Sequence, residues 1–373
     1  MNKFNDILII GGGIIGLSLA IELKLRGAKV TVISRDFQQA ATNAAAGMLA
    51  PQAEAIPPGK MLDLCLKSRA LYPEWVKKIE SISGLETGYW PCGILAPVYT
   101  RQEKKNYASL NLNYQWLNQE TIHQYQLGLG SEVIGGWWYP EDGQVDNRDL
   151  YRSTIAAAKE LKIDIIEGIV TAIIRKAGKI QSVKTSIGEL QAEHYVLATG
   201  AWSQELLPIP VFPKKGQMLS LKVPGNFNPE KIDKNQTKSL LLQQVLFGDE
   251  SYIVPRKDGR IVIGATSENV GFASGNTATG VHELLANAIR LYPVLKDYKI
   301  LEIWWGFRPG TSDEMPVLGT SNYDNLTLAT GHYRNGILLA PVTAMLIADL
   351  IWNHESSPLL DAFNYSRLAG VEN

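Results

Sequence analysis

The feature that most constrains this chain is Gly11-Gly12-Gly13-Ile14-Ile15-Gly16, a G-x-G-x-x-G run set between the apolar stretch Ile7 to Ile10 and a helical pattern from Ile14 to Arg26. Gly27 follows, and Lys29 to Ile33 reads as a second strand. Strand, glycine turn, helix and strand in that order predict a β-α-β unit. The glycines permit a tight turn, let the backbone approach a pyrophosphate, and let helix and strand pack closely. The helix N-terminus meets negative charge with free amides. Gly11, Gly13, Ile14, Ile15 and Gly16 are therefore expected to hold a dinucleotide, with nicotinamide and flavin cofactors both allowed.

Such a unit ordinarily ends its second strand on an acid that binds ribose hydroxyls. Here Ser34 stands at that position, followed by Arg35 and Asp36. Ser34 can still hydrogen-bond a hydroxyl, Asp36 is a substitute from a neighbouring position, and Arg35 can pack over an adenine face or simply be solvated. Further on, Thr42-Asn43-Ala44-Ala45-Ala46-Gly47-Met48 is a run of small residues that lets backbone come near a flat ring or a phosphate. Read alone, it is equally a close-packed corner between helices. A later strand, His194 to Ala198, opens onto Thr199-Gly200-Ala201-Trp202-Ser203, again glycine at a sheet edge.

A chain of 373 residues exceeds the roughly 250–300 beyond which one core usually splits, so two domains are expected. Met61 to Ser83 carries apolar residues at helical spacing and stops at Gly84. From Trp90 to Trp138 the pattern turns to short strands rich in Tyr, Trp and Pro. Helical spacing returns at Arg148 to Leu161 behind the capping candidates Asp146 and Asn147. Strands are then predicted at 163–166, 170–175, 180–185 and 194–198. The run 217–223, 239–247, 252–255 and 260–265 lacks intervening helices and should be antiparallel, with a hairpin at Asp258-Gly259. A helix at 280–292, strands at 300–307 and 326–329, and a helix with Pro341 in its first turn, running to about Trp352, complete the pattern. The reading is an α/β chain with one domain in three pieces, 1–85, 143–210 and 300–373. An antiparallel-sheet domain is inserted at 86–142 and 211–299.

Thirty-six Lys and Arg balance 37 Asp and Glu, so no global field favours nucleic acid or an anionic membrane. Cys65 and Cys92 imply no disulfide framework, and no metal-ligand spacing surrounds them. Ile7 to Ile10 is too short for a signal peptide, and no stretch approaches the ~20 apolar residues of a membrane span. A cytoplasmic location without membrane insertion is expected, and the oligomeric state stays open.

Taken together with Ser251-Tyr252-Ile253-Val254-Pro255-Arg256, Trp305-Gly306-Phe307-Arg308-Pro309-Gly310-Thr311 and Gly331-His332-Tyr333-Arg334-Asn335-Gly336-Ile337-Leu338, these segments resemble the glycine oxidase family. That family lies within the FAD-dependent amino-acid oxidase superfamily and is associated with thiamine biosynthesis. The resemblance spans the whole chain in order. It implies a Rossmann-like FAD-binding domain of the glutathione-reductase type with an antiparallel-sheet substrate domain. Arg308 would clamp the substrate carboxylate, Tyr252 would add a hydrogen bond, and Arg334 would lie across the pocket. Surface pairing of Arg308 with Asp313 or Glu314, and plain strand packing for Tyr252, are the competing readings. Gly47 and Met48 would border the flavin, with Ala46, Thr42 and Asn43 beside it. Val170 would give an adenine-side backbone contact, and Thr199 and Gly200 would complete the cofactor wall. His332 is expected in a structural or flavin-contacting role, followed by Tyr333 and the amides of Asn335, Gly336, Ile337, Leu338 and Leu339 near the flavin N1 and C2 carbonyl.

The implied reaction is hydride transfer from glycine, sarcosine, D-alanine or D-proline to FAD. Oxygen would go to hydrogen peroxide, and the imine would give glyoxylate and ammonia or pass to a thiazole synthase. The covalently flavinylated relatives use a cysteine near the C-terminal motif; residues 309–320 contain none, so non-covalent FAD is expected. The alternatives are a D-amino-acid dehydrogenase with another electron acceptor and a flavin-binding factor without amine oxidation.

Overall fold

A computed structural model describes residues 6–103, 113–224 and 242–368. Its first strand, Asp6–Ile10, lies inside a six-stranded sheet ordered Val317–Thr320, Leu326–Thr330, His194–Leu197, Asp6–Ile10, Lys29–Ser34, Asp164–Glu167. All neighbours are parallel except the Val317–Thr320 edge. A strand covered on both faces can be apolar throughout. Accordingly Ile7 and Ile9 join the core with helices Ile14–Leu25, Lys60–Ser83 and Gly336–Ala348. Leu8 and Ile10 face the opposite way, toward an antiparallel three-stranded sheet built from Val170–Lys176, Lys179–Thr185 and Gly188–Leu190. Helix Asn147–Glu160 starts as expected: the Asp146 carboxylate accepts from the amides of Arg148 and Asp149.

The last long helix differs from its sequence reading. It begins at Gly336, five residues before Pro341, and the segment Gly336–Asn353 is apolar enough by composition to span a bilayer. It is instead 72% buried as a core helix against the first helix and Lys60–Ser83. Pro341 cannot donate to the Ile337 carbonyl four residues earlier. The Tyr72 hydroxyl donates to that carbonyl at 2.8 Å. One turn along helix Lys60–Ser83, the Ser68 hydroxyl donates to the Leu338 carbonyl at 2.6 Å and accepts from Val342 N–H at 3.4 Å. The two side chains thus restore what the proline removes.

The second sheet has eight strands, ordered Lys299–Gly310, Phe212–Lys222, Arg260–Gly264, Tyr252–Pro255, Val245–Phe247, Ile94–Val98, Gly135–Tyr139, Gln115–Asn118. The run expected to be antiparallel is so; its join to Ile94–Val98 is parallel. The expected strand 239–247 is found at Val245–Phe247, and 239–241 lie outside the described residues. Strand Lys299–Gly310 corrects the expected boundary at 300. It pairs along its length with Phe212–Lys222, Gly306 opposite Gly216, and so belongs to this sheet and not to the parallel one. A run of apolar residues ending in Gly-Phe-Arg does not reveal which sheet it will extend, because its partner is some 90 residues away.

Candidate functional site

One cavity of about 290 Å³ extends from the glycine turn between the two sheets. Gly11 has φ +119°, and a Cβ there would lie 2.2 Å from the Ala198 carbonyl oxygen, so the turn and the end of the neighbouring strand close on each other only with glycine. Gly11, Gly13, Ile14 and Ile15 line the cavity. Gly16 lies behind it, where a Cβ would be 1.9 Å from the Gly11 carbonyl oxygen; its part is helix packing. Ile14 N–H is already engaged, donating to the buried Thr42 hydroxyl at 2.9 Å. Thr42, expected beside the cofactor, lines the cavity and is fixed at the helix start by this bond.

At the end of the second strand Ser34, Arg35 and Asp36 all line the cavity. Arg35 is not free for an adenine face: it pairs with Glu205 at 2.5 Å and lies 5.6 Å over the Trp202 ring. One Asp36 oxygen accepts from the amides of Gln38 and Gln39 and holds the following turn. Val170, Thr199 and Gly200 border the same end. Asn43 does not. Its amide donates to the carbonyls of Phe37 and Gln38, a scaffold role.

Ala46, Gly47 and Met48 line the middle. Gly47 has φ +74°, and a Cβ would sit 2.0 Å from the Val145 carbonyl oxygen. The carbonyl of Ala46 accepts from Arg256, a guanidinium only 3% exposed that also ion-pairs with Asp146 and donates to Gln144. Arg256 and Asp146 therefore tie this segment to the eight-stranded sheet and to the start of helix Asn147–Glu160.

At the far end Tyr252, Arg308 and Arg334 meet, 56 and 26 residues apart in sequence but on one cavity wall. Arg308 lies across Gly216, whose absent Cβ would fall 2.4 Å from a guanidinium nitrogen, and donates to the Thr266 carbonyl at 3.0 Å. Asp313 is paired with Arg367, so the surface-pair reading for Arg308 does not hold for that acid. Gly264 leaves room for the Tyr252 ring, 2.5 Å from where a Cβ would be. The ring is thus let into the cavity by a glycine and is more than strand filler. Arg334 donates to the Tyr333 hydroxyl at 3.3 Å and lies 5.1 Å over its ring.

His332, Tyr333, Gly336 and Ile337 also line the cavity; Asn335 and Leu338 do not. Tyr333 holds the left-handed region at φ +47°, which turns the chain sharply into the helix. The amides of Asn335 and Leu339 are spent on the carbonyls of His332 and Asn335. Those of Gly336 to Leu338 occupy the first helical turn, which has no intrahelical acceptor. His332 bonds Thr343 Oγ1 at 3.1 Å, and burial pushes its pKa down to about 3, so it is neutral and no base at neutral pH.

Glu54 was not anticipated. It lines the cavity in company with both arginines and is the one charged residue between Asp36 and Lys60, the available clue in the sequence. Burial raises its carboxyl to about 7, with Arg334 pulling the other way. Taken whole, the walls fit FAD: glycines and alanines expose backbone along the cavity, the first turns of the helices at Ile14 and Gly336 adjoin it, and the hydroxyl residues Ser34, Thr42 and Thr199 line it.

The family described as FAD dependent oxidoreductase matches residues 6–350. A bifunctional protein ThiO/ThiG from Nostoc sp. is 58% identical over 97% of this chain and 55% of its own length, so the chain spans about half of that relative. A glycine oxidase of Bacillus licheniformis is 31% identical over 100% of both chains. The crystal structure of glycine oxidase from Geobacillus kaustophilus superposes with a TM-score of 0.89 at 30% identity, covering 99% of this chain and 100% of that one.

Proposed function

The chain belongs to the FAD-dependent oxidoreductase family, FAD is its cofactor, and we propose that it oxidises glycine and other small amines, sarcosine, D-alanine and D-proline among them. The observation that carries this reading is the convergence of Arg308 and Tyr252 at the end of the cavity opposite the glycine turn. A guanidinium held by the Thr266 carbonyl presents its remaining N–H groups to a planar carboxylate, the arrangement that bidentate pairing requires. The Tyr252 hydroxyl adds a donor, and Arg334 supplies a second positive charge on the same wall.

For the cofactor, Gly11, Gly13 and Ile15 give the pyrophosphate close backbone, and the Thr42 hydroxyl, having accepted from Ile14, is left to donate. Ser34 takes the ribose side and Val170 the adenine side. Gly47 and Met48 would flank the ring, while the first-turn amides of Gly336 and Ile337 would face its pyrimidine edge. When bound, FAD would supply the acceptor for the hydride of the substrate α-carbon, with oxygen as the final oxidant going to hydrogen peroxide. The imine hydrolyses to glyoxylate and ammonia or passes to a thiazole synthase as partner. FAD is held without a covalent bond, the domain pieces 1–85 and 143–210 carrying most of its contacts.

The test is direct. Purified yellow protein is mixed with each of the four amines and peroxide is measured. Peroxide in proportion to amine consumed is expected, and anaerobic glycine that leaves the flavin colour intact would refute the assignment.

A further inference from the structure

The turn at residues 51–55 is more firmly held than a surface loop needs to be. The Asp142 carboxylate, fully buried, accepts from the amides of Gln52 at 3.1 Å and Ala53 at 2.8 Å, and is itself ion-paired with Arg69. Glu54 N–H donates to the Ala50 carbonyl and Ala55 N–H to the Gln52 carbonyl, with Ala55 at φ +50°. The clamp sets Glu54 into the cavity wall beside Tyr252, Arg308 and Arg334. Glu54 is half-buried there. Among the described residues no cation reaches its carboxylate within ion-pair distance, Arg334 being turned to Tyr333 and Arg308 to the Thr266 carbonyl.

The charges that face it are Arg334 and Arg308, which favour its ionised form, and Asp142 and Glu314, which oppose it. Tyr252 and the buried thiol Cys65 are its neutral neighbours. A zwitterionic amino acid brings one negative and one positive group into this end. The arginines account for the carboxylate, and among the acids lining this end Glu54 is the one coupled to both arginines, Asp249 and Glu250 being exposed.

We propose that Glu54 binds the substrate ammonium and takes one proton from it, an inference that rests on the amine oxidation proposed above. One N–H bond breaks and its electron pair stays on nitrogen; one O–H bond forms on the Glu54 carboxylate. Ammonium and carboxylate become amine and acid, so no net charge is added to the dry cavity. The neutral amine is the form whose lone pair can become the C=N bond when the α-hydrogen leaves with its electrons. Balanced between desolvation and two cations, the Glu54 carboxyl near 7 is half ionised in the range where it must take a proton and give it up.

The holoenzyme and its Glu54→Gln and Glu54→Asp variants are reduced anaerobically with glycine by rapid mixing between about pH 6 and pH 9, and the binding of acetate, a carboxylate without an amine, is followed by flavin absorbance. Because the base must be ionised, the wild-type rate rises with pH and levels through one ionisation near pH 7. Glu54→Gln is expected to be about 100-fold slower at neutral pH, with a rate that climbs through that range without levelling, while it binds acetate at least as tightly as the wild type. Glu54→Asp should be intermediate and keep the break. If Glu54→Gln reproduces the wild-type rate and profile, or loses acetate binding together with rate, the proposal is overturned. Should that variant not fold, a Glu54→Asp profile without any break overturns it equally. Wild-type flavin that glycine does not reduce sinks the amine-oxidase reading itself, whereas reduction in the wild type with an indifferent variant sinks the Glu54 role alone.

Discussion

Tyr72→Phe removes one oxygen from a ring that is otherwise fully buried and unchanged in shape. That oxygen donates at 2.8 Å to the Ile337 carbonyl, which has no helical donor because residue 341 is proline. Leaving a buried carbonyl unpaired costs about 1–3 kcal/mol. With an unfolding entropy of roughly 2.1 cal/mol/K per residue, a 373-residue chain loses about 1.3 °C of Tm per kcal/mol, so a fall of about 1–4 °C is expected. The sharper form is a double-mutant cycle. Pro341→Ala returns an N–H in register with Ile337, so Tyr72→Phe should cost little in that background, giving a coupling of about 1–2 kcal/mol. Equilibrium urea unfolding of the FAD-loaded proteins at fixed FAD reads all four corners. Equal cost of Tyr72→Phe with proline and with alanine at 341, to within about 0.5 kcal/mol, would refute the argument that tyrosine stands in for the missing amide.

Arg308→Ala should weaken substrate carboxylate binding by about 2–5 kcal/mol, seen as a large rise in KM for glycine, and Arg308→Lys should recover little because an ammonium cannot form the fork; an unchanged KM in steady-state assays would remove the clamp. Thr42→Val strands the Ile14 amide and removes a donor from the cavity, so FAD affinity measured by fluorescence titration should drop about tenfold or more, with Thr42→Ser restoring most of it. Were valine to bind FAD as tightly as threonine, the hydroxyl would be packing only. His332, neutral in the fold and held near 3, takes up a proton on unfolding below its ordinary value near 6.5. Its share of stability is therefore present above 6.5 and lost as pH falls toward 3, His194 adding to the same limb and Glu54 opposing it by binding its proton earlier in the fold than out of it. His332→Asn should flatten the acid side of a stability-versus-pH curve, and an unaltered slope would show that His332 is protonated when folded.

The cofactor half of the cavity was legible because its signals are local. A strand, a glycine turn and a helix within 33 residues state their own geometry, and the collision of a Cβ at Gly11 with the Ala198 carbonyl shows why no other residue would serve. The ribose acid was read as displaced, and Ser34 and Asp36 do stand at that wall, yet Arg35 is committed to Glu205 and Trp202, partners 170 and 167 residues on. Asn43, Asn335 and Leu338 belong to motifs that reach the cavity while they themselves face the scaffold, since a motif fixes a segment and not the direction of each side chain. The extent of strand Lys299–Gly310 and the start of the last helix differ from the sequence reading for one reason: partners distant in sequence, Phe212–Lys222 for the strand and Tyr72 and Ser68 for the helix, decide them.

The substrate end follows a different logic, in which charge is arranged by exclusion. His332 is kept neutral by burial, Asp142 is consumed by Arg69 and two amides, and Asp313 by Arg367. What lines the substrate end is then Arg308, Arg334, Tyr252, Tyr333 and Glu54, and apart from the exposed acids Asp249 and Glu250 this end is short of one anion when the Glu54 carboxylate is ionised and of two when it is not. A substrate carboxylate supplies the first. A carboxylate that enters with an ammonium also brings the proton that neutralises Glu54, so binding and deprotonation pull against each other, and the enzyme's affinity for glycine should fall as pH drops below about 7 while its affinity for acetate should rise. Parallel titration of the two ligands by flavin absorbance separates these slopes, and two parallel curves would mean that Glu54 does not sense the amine.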